Sequence, residues 1–311
     1  MTILESLILG LVEGLTEYLP VSSTGHLIIA QYLLGLPESD AMHAFEICIQ
    51  GGAILAVLGL YFRRVREMVH GLAGGVLALL GRYWGRARRM SQSVGQNPAG
   101  LRMMWNMLLG FIPAAVIGVI CSDYIKGYLF NATTVMVMWV VGGVVILLYV
   151  RQRRNHAGMG KELSQLTWRG ALVVGLMQCI AMIPGTSRSL MTMLGGLTVG
   201  LSVAAAVEFS FLLGLITLGA ATVHDAYKYG GDMVASIGWG PIIAGSVMAW
   251  FSSVIAVRWM VGYLNRHSLS LFGWYRIAAG AVMLGLILCG LEVSREDEPA
   301  KAPEPAAVVK S

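Results

Sequence analysis

Long apolar runs alternate with short polar or basic segments along the whole chain. Six of these runs approach the roughly 20 residues that a helix needs to cross the hydrocarbon core of a bilayer. They predict spanning helices at 41–62, 105–121, 134–150, 201–223, 236–257 and 269–291. The pattern therefore predicts an all-α integral membrane protein that crosses the bilayer several times.

The apolar region at the start of the chain is broken in two. Residues 3–19 and 27–36 are each too short to cross the bilayer, and Pro20 and the polar residues 22–25 separate them. Polar backbone at membrane depth is tolerated only where protein or a water-filled cavity covers it. The break therefore predicts a re-entrant helical hairpin instead of a span.

The second half of the chain repeats this pattern. The stretch LVVGLMQCIAMIPGTSRSL at 172–190 aligns with LVEGLTEYLPVSSTGHL at 11–27, with a two-residue insertion before the proline. The sequence around Glu208 likewise matches the sequence around Glu46. These glutamates fall in the middle of predicted spans, so we expect them to hold the two hairpins through hydrogen bonds.

We infer two inverted-topology repeats, about 1–151 and 166–293, each a re-entrant hairpin followed by three spans. An odd number of crossings inverts the second repeat, so the two hairpins should enter from opposite faces and meet near the midplane. Together the repeats form a single membrane domain, 1–293. The tail, 294–311, is rich in Pro, Ala, Glu and Lys, which predicts disorder.

Basic residues orient this arrangement in the membrane. Arg-rich segments at 63–102, 151–169 and 258–266 fall on one side, and the connectors near Lys126 and Lys228 fall on the other. An excess of Lys and Arg marks the cytoplasmic side. The first hairpin should then open from the outer face and the second from the inner face.

Composition supports a membrane protein and excludes several other classes. The chain is 56% hydrophobic and only 13% charged, with a formal net charge of +5 and a mean hydropathy of +0.70. Its Arg clusters suit topology determinants, and basic stripes with interleaved aromatics are absent, so no nucleic acid is expected as a partner. The four cysteines are scattered singly through apolar runs, which favours neither a zinc site nor a disulfide framework.

The first hairpin carries an unusual set of polar groups. Glu13 and Glu17 are four residues apart, so their carboxylates share one helix face and repel each other. Ser23 and Thr24 follow at the start of the next apolar run, where hydroxyls and unpaired backbone N–H groups favour anions and phosphates. His26 adds an imidazole. Such groups are costly inside a membrane and indicate a functional site.

The second hairpin adds a cation to this set. Ser187 and Arg188 lie in a small polar segment, and a guanidinium offers a planar fork of donors that matches phosphate oxygens. A phosphate beside Glu13 and Glu17 would be repelled unless a divalent metal bridged them, and hard oxygen ligands suit magnesium or calcium. The residues therefore point to a metal-dependent reaction on a lipid-linked phosphate, or to a carrier that flips such a lipid.

The motifs VEGLTEYLPVSSTGH at 12–26 and PGTSRS at 184–189 resemble those of the undecaprenyl-diphosphate phosphatase family, the bacitracin-resistance type of membrane enzyme. The resemblance implies hydrolysis of undecaprenyl diphosphate in the bacterial inner membrane at the periplasmic face, recycling the carrier for cell-wall synthesis. It also implies that bacitracin competes for the substrate. Membrane lipids should surround the chain, and a homodimer is compatible with the sequence.

By motif position, the resemblance assigns a set of catalytic residues: Glu13, Glu17, Ser23, His26 and Arg188. Thr24, Ser187 and Arg188 are expected to bind substrate, and Glu13 and Glu17 to hold the metal. Ser23 is either a covalent nucleophile or a phosphate ligand for direct attack by water. Leu190 stands where the family commonly has glycine after SRS, which leaves open the backbone conformation that follows Ser189.

Overall fold

The computed structural model of the protein describes residues 1–37, 39–80, 97–152 and 160–290. Apart from a single bridge between Lys161 and Leu201, the regular structure in these ranges is helical. The α-helices are α1 (Ile3–Thr16), α2 (Ser23–Leu34), α3 (Asp40–Leu60), α4 (Phe62–Leu80), α5 (Pro98–Tyr124), α6 (Ala132–Gln152), α7 (Trp168–Ile180), α8 (Arg188–Thr198), α9 (Val203–Ile237), α10 (Trp239–Leu264) and α11 (Ser270–Leu288). A short π-helix, Ile125–Leu129, and a 3-10 turn, Leu163–Gln165, complete the described elements.

The six predicted spans are confirmed as helices long and apolar enough to cross a membrane: α3, α5, α6, α9, α10 and α11. The protein is therefore a multi-pass membrane protein. Several predicted bounds are wrong; α10, for example, ends at Leu264 and not at residue 257. Helix α5 begins at Pro98, inside a segment expected to be exposed loop, because Asn97 Oδ1 accepts from the Gly100 N–H at 2.9 Å and proline suits a first helical turn.

Helix α9 shows the largest departure from the predicted bounds. It runs for 35 residues, to Ile237, well past the predicted end at residue 223. Its polar residues after that point lie on the helix surface, and a helix stop comes only at Gly238, which has a φ of 84°. At 1.5 Å per residue the helix is about 52 Å long, longer than the hydrocarbon core of about 30 Å.

Two pairs of short helices, α1–α2 and α7–α8, form the predicted broken hairpins. Helix α1 ends at Thr16, earlier than the predicted stop at Pro20, so Glu17 is its C-cap residue. Helix α2 begins at Ser23, earlier than the predicted start at residue 27. At about 1.5 Å per residue none of the four helices can cross the hydrocarbon core.

Both hairpins turn in the same way. Helices α2 and α8 each begin after a serine with positive φ, Ser22 at 69° and Ser187 at 75°. In the described ranges these serines are the non-glycine residues with positive φ. Such a conformation is rare for residues with a Cβ and persists where the surrounding structure imposes it. The turns are thus held by packing around them.

Close helix contacts fix the hairpins against the spans. Helix α1 packs along α10, where Gly10 contacts Gly245, and α7 packs along α5, where Gly175 contacts Gly110. Small residues at these crossings let the two backbones approach each other, as is common between membrane helices. Each hairpin is therefore seated on a span from the other half of the chain.

Several predicted features lie outside the described residues. They are the basic loop around Arg86, Arg88 and Arg89, the residues Arg153 and Arg154, and the tail at 294–311.

The contact between Gly10 and Gly245 gives a stability prediction. A methyl group at Gly10 would overlap the carbonyl oxygen of Gly245, so Gly10→Ala should lower the stability by about 1–3 kcal/mol. Thermal unfolding of the purified protein in detergent would measure the loss. Gly262→Ala in α10 is the matched control, because nothing lies within 4 Å of that position. Equal melting temperatures for both variants would contradict the described crossing.

Candidate active site

Glu17 lies at the centre of a buried polar cluster that joins the two hairpins. Its Oε2 accepts a hydrogen bond from Ser23 Oγ at 2.5 Å, and its Oε1 accepts from Arg188 Nη2 at 3.3 Å. The Glu17 side chain is 7% exposed and that of Arg188 is 10% exposed. Three of the residues predicted from sequence are therefore in direct contact, with Glu17 and Ser23 from the first hairpin and Arg188 from the second.

The Arg188 guanidinium is held on several sides, but its Nε–H donor is unpaired within the described residues. Its Nη1 donates to the Ser210 carbonyl at 3.0 Å, and its Cζ lies 5.6 Å from the centre of the Tyr18 ring. Gly214 packs directly against the guanidinium. In the part of the chain that the structure describes, the buried Nε–H has no hydrogen-bond partner. The residue that carries this unpaired donor also lines one of the cavities beside the cluster.

Two adjoining cavities open beside this cluster. The first has a volume of about 310 Å³, and its polar lining includes Glu17, Ser23, Thr24, Ser187 and Arg188. The second, of about 240 Å³, is lined in part by Glu13, Ser23, Thr24, His43, Glu46, Gln50 and Asp225. Ser23 and Thr24 line both cavities, so they stand between a chamber lined by Glu17 and Arg188 and a more acidic one.

Glu13 and Glu17 face different cavities, although they are one helical turn apart. Glu13 is only 1% exposed, and within the described residues its Oε1 has no hydrogen-bond partner. A buried carboxylate oxygen without a partner is costly unless a cation or donor satisfies it. The open Oε1 therefore marks a place where a positive charge would be stabilised.

The fit of these residues to a divalent cation follows from their chemistry. No cluster of three or more His, Cys, Asp or Glu ligands occurs in the described ranges. Magnesium, however, is commonly held by one or two carboxylates together with water and substrate phosphate oxygens. Glu13 and Glu17, with the Ser23 hydroxyl between their cavities, match that smaller set of hard oxygen ligands.

His26 is placed differently from the other predicted residues. Its Nδ1 lies 2.7 Å from the Ser22 carbonyl, and its Nε2 lies 2.7 Å from the Tyr275 hydroxyl. Its ring also packs against Trp139 and stacks on Tyr275. Both nitrogens are thus engaged, and His26 is absent from the lining of the two cavities. This placement favours a role in holding the hairpin turn.

The serines of the second hairpin mainly hold its turn. Ser187 Oγ accepts from the Leu190 N–H at 3.3 Å and caps α8, while it also lines the first cavity. Ser189 Oγ donates to the Leu19 carbonyl at 2.8 Å and so ties the second hairpin to the first. Leu190 itself is a buried residue within α8, a position that does not require glycine.

Glu46 and Glu208 have different partners, although the sequence places them at equivalent positions. Glu46 holds the first hairpin as predicted, because it accepts from the Gln31 amide of α2. The prediction for Glu208 is wrong. The hydrogen bond that Glu208 accepts comes from Arg64 Nε of α4, at 2.7 Å, and not from the second hairpin.

Sequence reasoning missed one buried polar residue beside the site. Arg276 of α11 has no exposed surface and contacts both hairpin turns. The signal was present in the sequence: an arginine in the middle of a predicted span at 269–291. An ionisable residue inside the membrane indicates a function.

Comparisons with known proteins agree with this architecture. The family model described as Bacitracin resistance protein BacA matches residues 6–282. Undecaprenyl-diphosphatase 2 of Rhodospirillum rubrum is 42% identical over 293 residues, which cover 93% of this chain and 96% of that protein. Undecaprenyl-diphosphatase of Pseudomonas syringae pv. tomato is 44% identical over 283 residues, 91% of this chain and 93% of the relative.

A relative from another bacterium gives the same result. Undecaprenyl-diphosphatase of Methylococcus capsulatus is 42% identical over 288 residues, which cover 93% of this chain and 96% of the relative. The family match, residues 6–282, includes most of both hairpins, the first five spans and most of α11. The chain therefore belongs to the bacitracin resistance protein BacA family.

Proposed function

We propose that the protein is an undecaprenyl-diphosphate phosphatase, which releases inorganic phosphate and returns undecaprenyl phosphate for cell-wall synthesis. The observation that carries this function is the contact of Arg188, Glu17 and Ser23 beside a cavity that all three residues line. The names of the relatives identify the lipid substrate as undecaprenyl diphosphate. Its recycling also accounts for bacitracin resistance, and competition with bacitracin for the lipid stays a prediction.

Arg188 binds the terminal phosphoryl group in this proposal. The guanidinium is fixed by the Ser210 carbonyl and Glu17, so it is already oriented before substrate binds. Preorganised donors stabilise the charge that develops on a transferred phosphoryl group without reorganisation during the reaction. The first cavity holds this group between Arg188 and the hydroxyls of Ser23 and Thr24.

Ser23 and Glu17 form a nucleophile and base pair. Their 2.5 Å hydrogen bond is the arrangement that activates a hydroxyl for attack. The proton of Ser23 passes to Glu17 as the Oγ–P bond forms and the P–O bond to the lipid phosphate breaks. Water then attacks phosphorus as the Oγ–P bond breaks, Glu17 returns its proton to Oγ, and both protons of the water leave on inorganic phosphate.

Glu13 and Glu17 would hold a divalent cation, magnesium or calcium. When bound, the cation offsets the repulsion between the carboxylates and the substrate phosphates. Glu13 is the better placed of the two for this task, because Glu17 already accepts hydrogen bonds from Ser23 and Arg188. A catalytic role for His26 stays a prediction, and its contacts favour positioning of the turn.

The chain forms one membrane domain of two inverted repeats in this proposal, with the site open to the periplasmic face of the inner membrane. The matched positive φ of Ser22 and Ser187 and the reciprocal packing of α1 on α10 and α7 on α5 support the repeats. The excess of arginine at one set of helix ends supports the orientation. A homodimer stays a prediction.

Arg188 tests the proposed function in purified protein. Wild type in detergent should release phosphate from undecaprenyl diphosphate, where no second side exists for a transporter. Arg188→Lys keeps the charge but loses the planar fork, so kcat/KM should fall about ten- to a hundredfold, and Arg188→Ala should be worse. Arg258→Lys, an exposed site on α10, is the control. Wild-type kinetics in Arg188→Lys would refute the role of the guanidinium.

Removal of divalent metal tests the cation. Excess EDTA should abolish phosphate release, and added magnesium or calcium should restore it. Glu13→Gln should raise the metal concentration for half-maximal activity, because an amide oxygen carries no charge to bind the cation. A metal titration of phosphate release measures this shift. Full turnover in EDTA would remove the metal from the mechanism.

Cysteine labelling tests the inverted topology. In a variant without the native cysteines, Tyr227→Cys should react from outside with an impermeant thiol reagent, and Arg266→Cys only after the cells are opened. Both positions are exposed, and they lie near opposite ends of the spans α9 and α10. Labelling of both from the same side would overturn the proposed orientation of the second repeat.

A further inference from the structure

Arg276 is a fully buried arginine that no acidic residue neutralises within the described part of the chain. Instead, its guanidinium donates to four backbone carbonyls, those of Met138, Trp139, Pro20 and Gly185. A buried charge is costly unless its hydrogen bonds are satisfied. The cost of burying the Arg276 charge indicates that these four carbonyls need one shared donor at this position.

Two of the four carbonyls belong to the hairpin turns. Arg276 Nη1 donates to the Pro20 carbonyl at 3.3 Å, and Nη2 donates to the Gly185 carbonyl at 2.8 Å. Pro20 precedes Ser23 by three residues, and Gly185 precedes Arg188 by three residues. The same planar group thus fixes the backbone just ahead of both residues proposed to act on the phosphate.

The remaining contacts anchor the guanidinium to the spans. The Met138 and Trp139 carbonyls belong to α6, which packs along α11. Gly142 of α6 lies against the guanidinium, and a side chain there would overlap it. The guanidinium is rigid, and its hydrogen bonds to α6 hold it in place. It therefore fixes the distance between the two turns.

We propose that Arg276 is a positioning residue that fixes Ser23 relative to Arg188. The inference rests on the proposed phosphatase function. A displacement of about 1 Å between reacting groups can cost a hundredfold in rate, so the two turns require a rigid connection. Lysine at this position would keep the positive charge, but a single ammonium group lacks the planar geometry that reaches both turns.

Steady-state kinetics of purified Arg276→Lys test this role. We expect kcat to fall about tenfold or more and KM to change less than about threefold, measured well below the melting temperature of the variant. In the Arg188→Lys background the added loss should be much smaller, because both changes act on the same contact. A wild-type kcat, or losses that multiply fully in the double variant, would overturn the proposal.

Gly142→Ala tests the same point if Arg276→Lys fails to fold. It leaves Arg276 in place and crowds the guanidinium, so kcat should fall at least about threefold. Gly262→Ala is the control and should keep the wild-type kcat. A wild-type kcat for Gly142→Ala would count against positioning. If the wild-type protein releases no phosphate, the proposed phosphatase function is wrong, and the inference for Arg276 is wrong with it.

Discussion

The architecture of the site depends on the buried contact between Glu17 and Arg188. Each residue is among the least exposed charged groups of the described structure, and each comes from a different hairpin. Removing two charges from water is expensive, and such a pair is tolerated only when further hydrogen bonds satisfy it. Ser23 and the Ser210 carbonyl supply those bonds, so the pair brings together the groups proposed to act in phosphoryl transfer.

The rest of the fold can be understood as support for that contact. Neither hairpin can cross a bilayer or cover its own polar backbone, so each needs partners from the spans. Helix α1 packs on α10 and α7 packs on α5 through close contacts between glycines. Arg276 joins both turns to α6. The positive φ of Ser22 and Ser187 is maintained by this surrounding framework.

The sequence predicts which residues form the buried polar cluster better than it predicts their geometry. Glu17, Ser23 and Arg188 are predictable because polar residues in apolar runs are costly in a membrane and indicate function. The orientation of His26 is not predictable, since its partner Tyr275 lies 249 positions away in the chain. The matching sequence around Glu208 also led to a wrong prediction. The two halves share a local sequence pattern, but in the second half Arg64 of α4 is the partner of this glutamate.

The fold shows the same division between local pattern and tertiary contact. The lengths of the apolar runs predicted all six spans, but they placed the end of α9 too early. The polar residues after 223 can lie on the surface of a continuous helix. The separate cavities for Glu13 and Glu17 could not be inferred from their spacing of four residues. That spacing fixes a shared helix face, whereas the neighbouring helices decide what each carboxylate meets.

The central claim is that Glu17 joins the two hairpins into one catalytic site, and Glu17→Gln tests it most directly. Glutamine keeps the size of the side chain and can still accept hydrogen bonds, but it cannot take the proton of Ser23. Single-turnover phosphate release from undecaprenyl diphosphate should therefore fall at least about a hundredfold in a variant that remains folded in detergent. Release at the wild-type rate from folded Glu17→Gln would contradict the account.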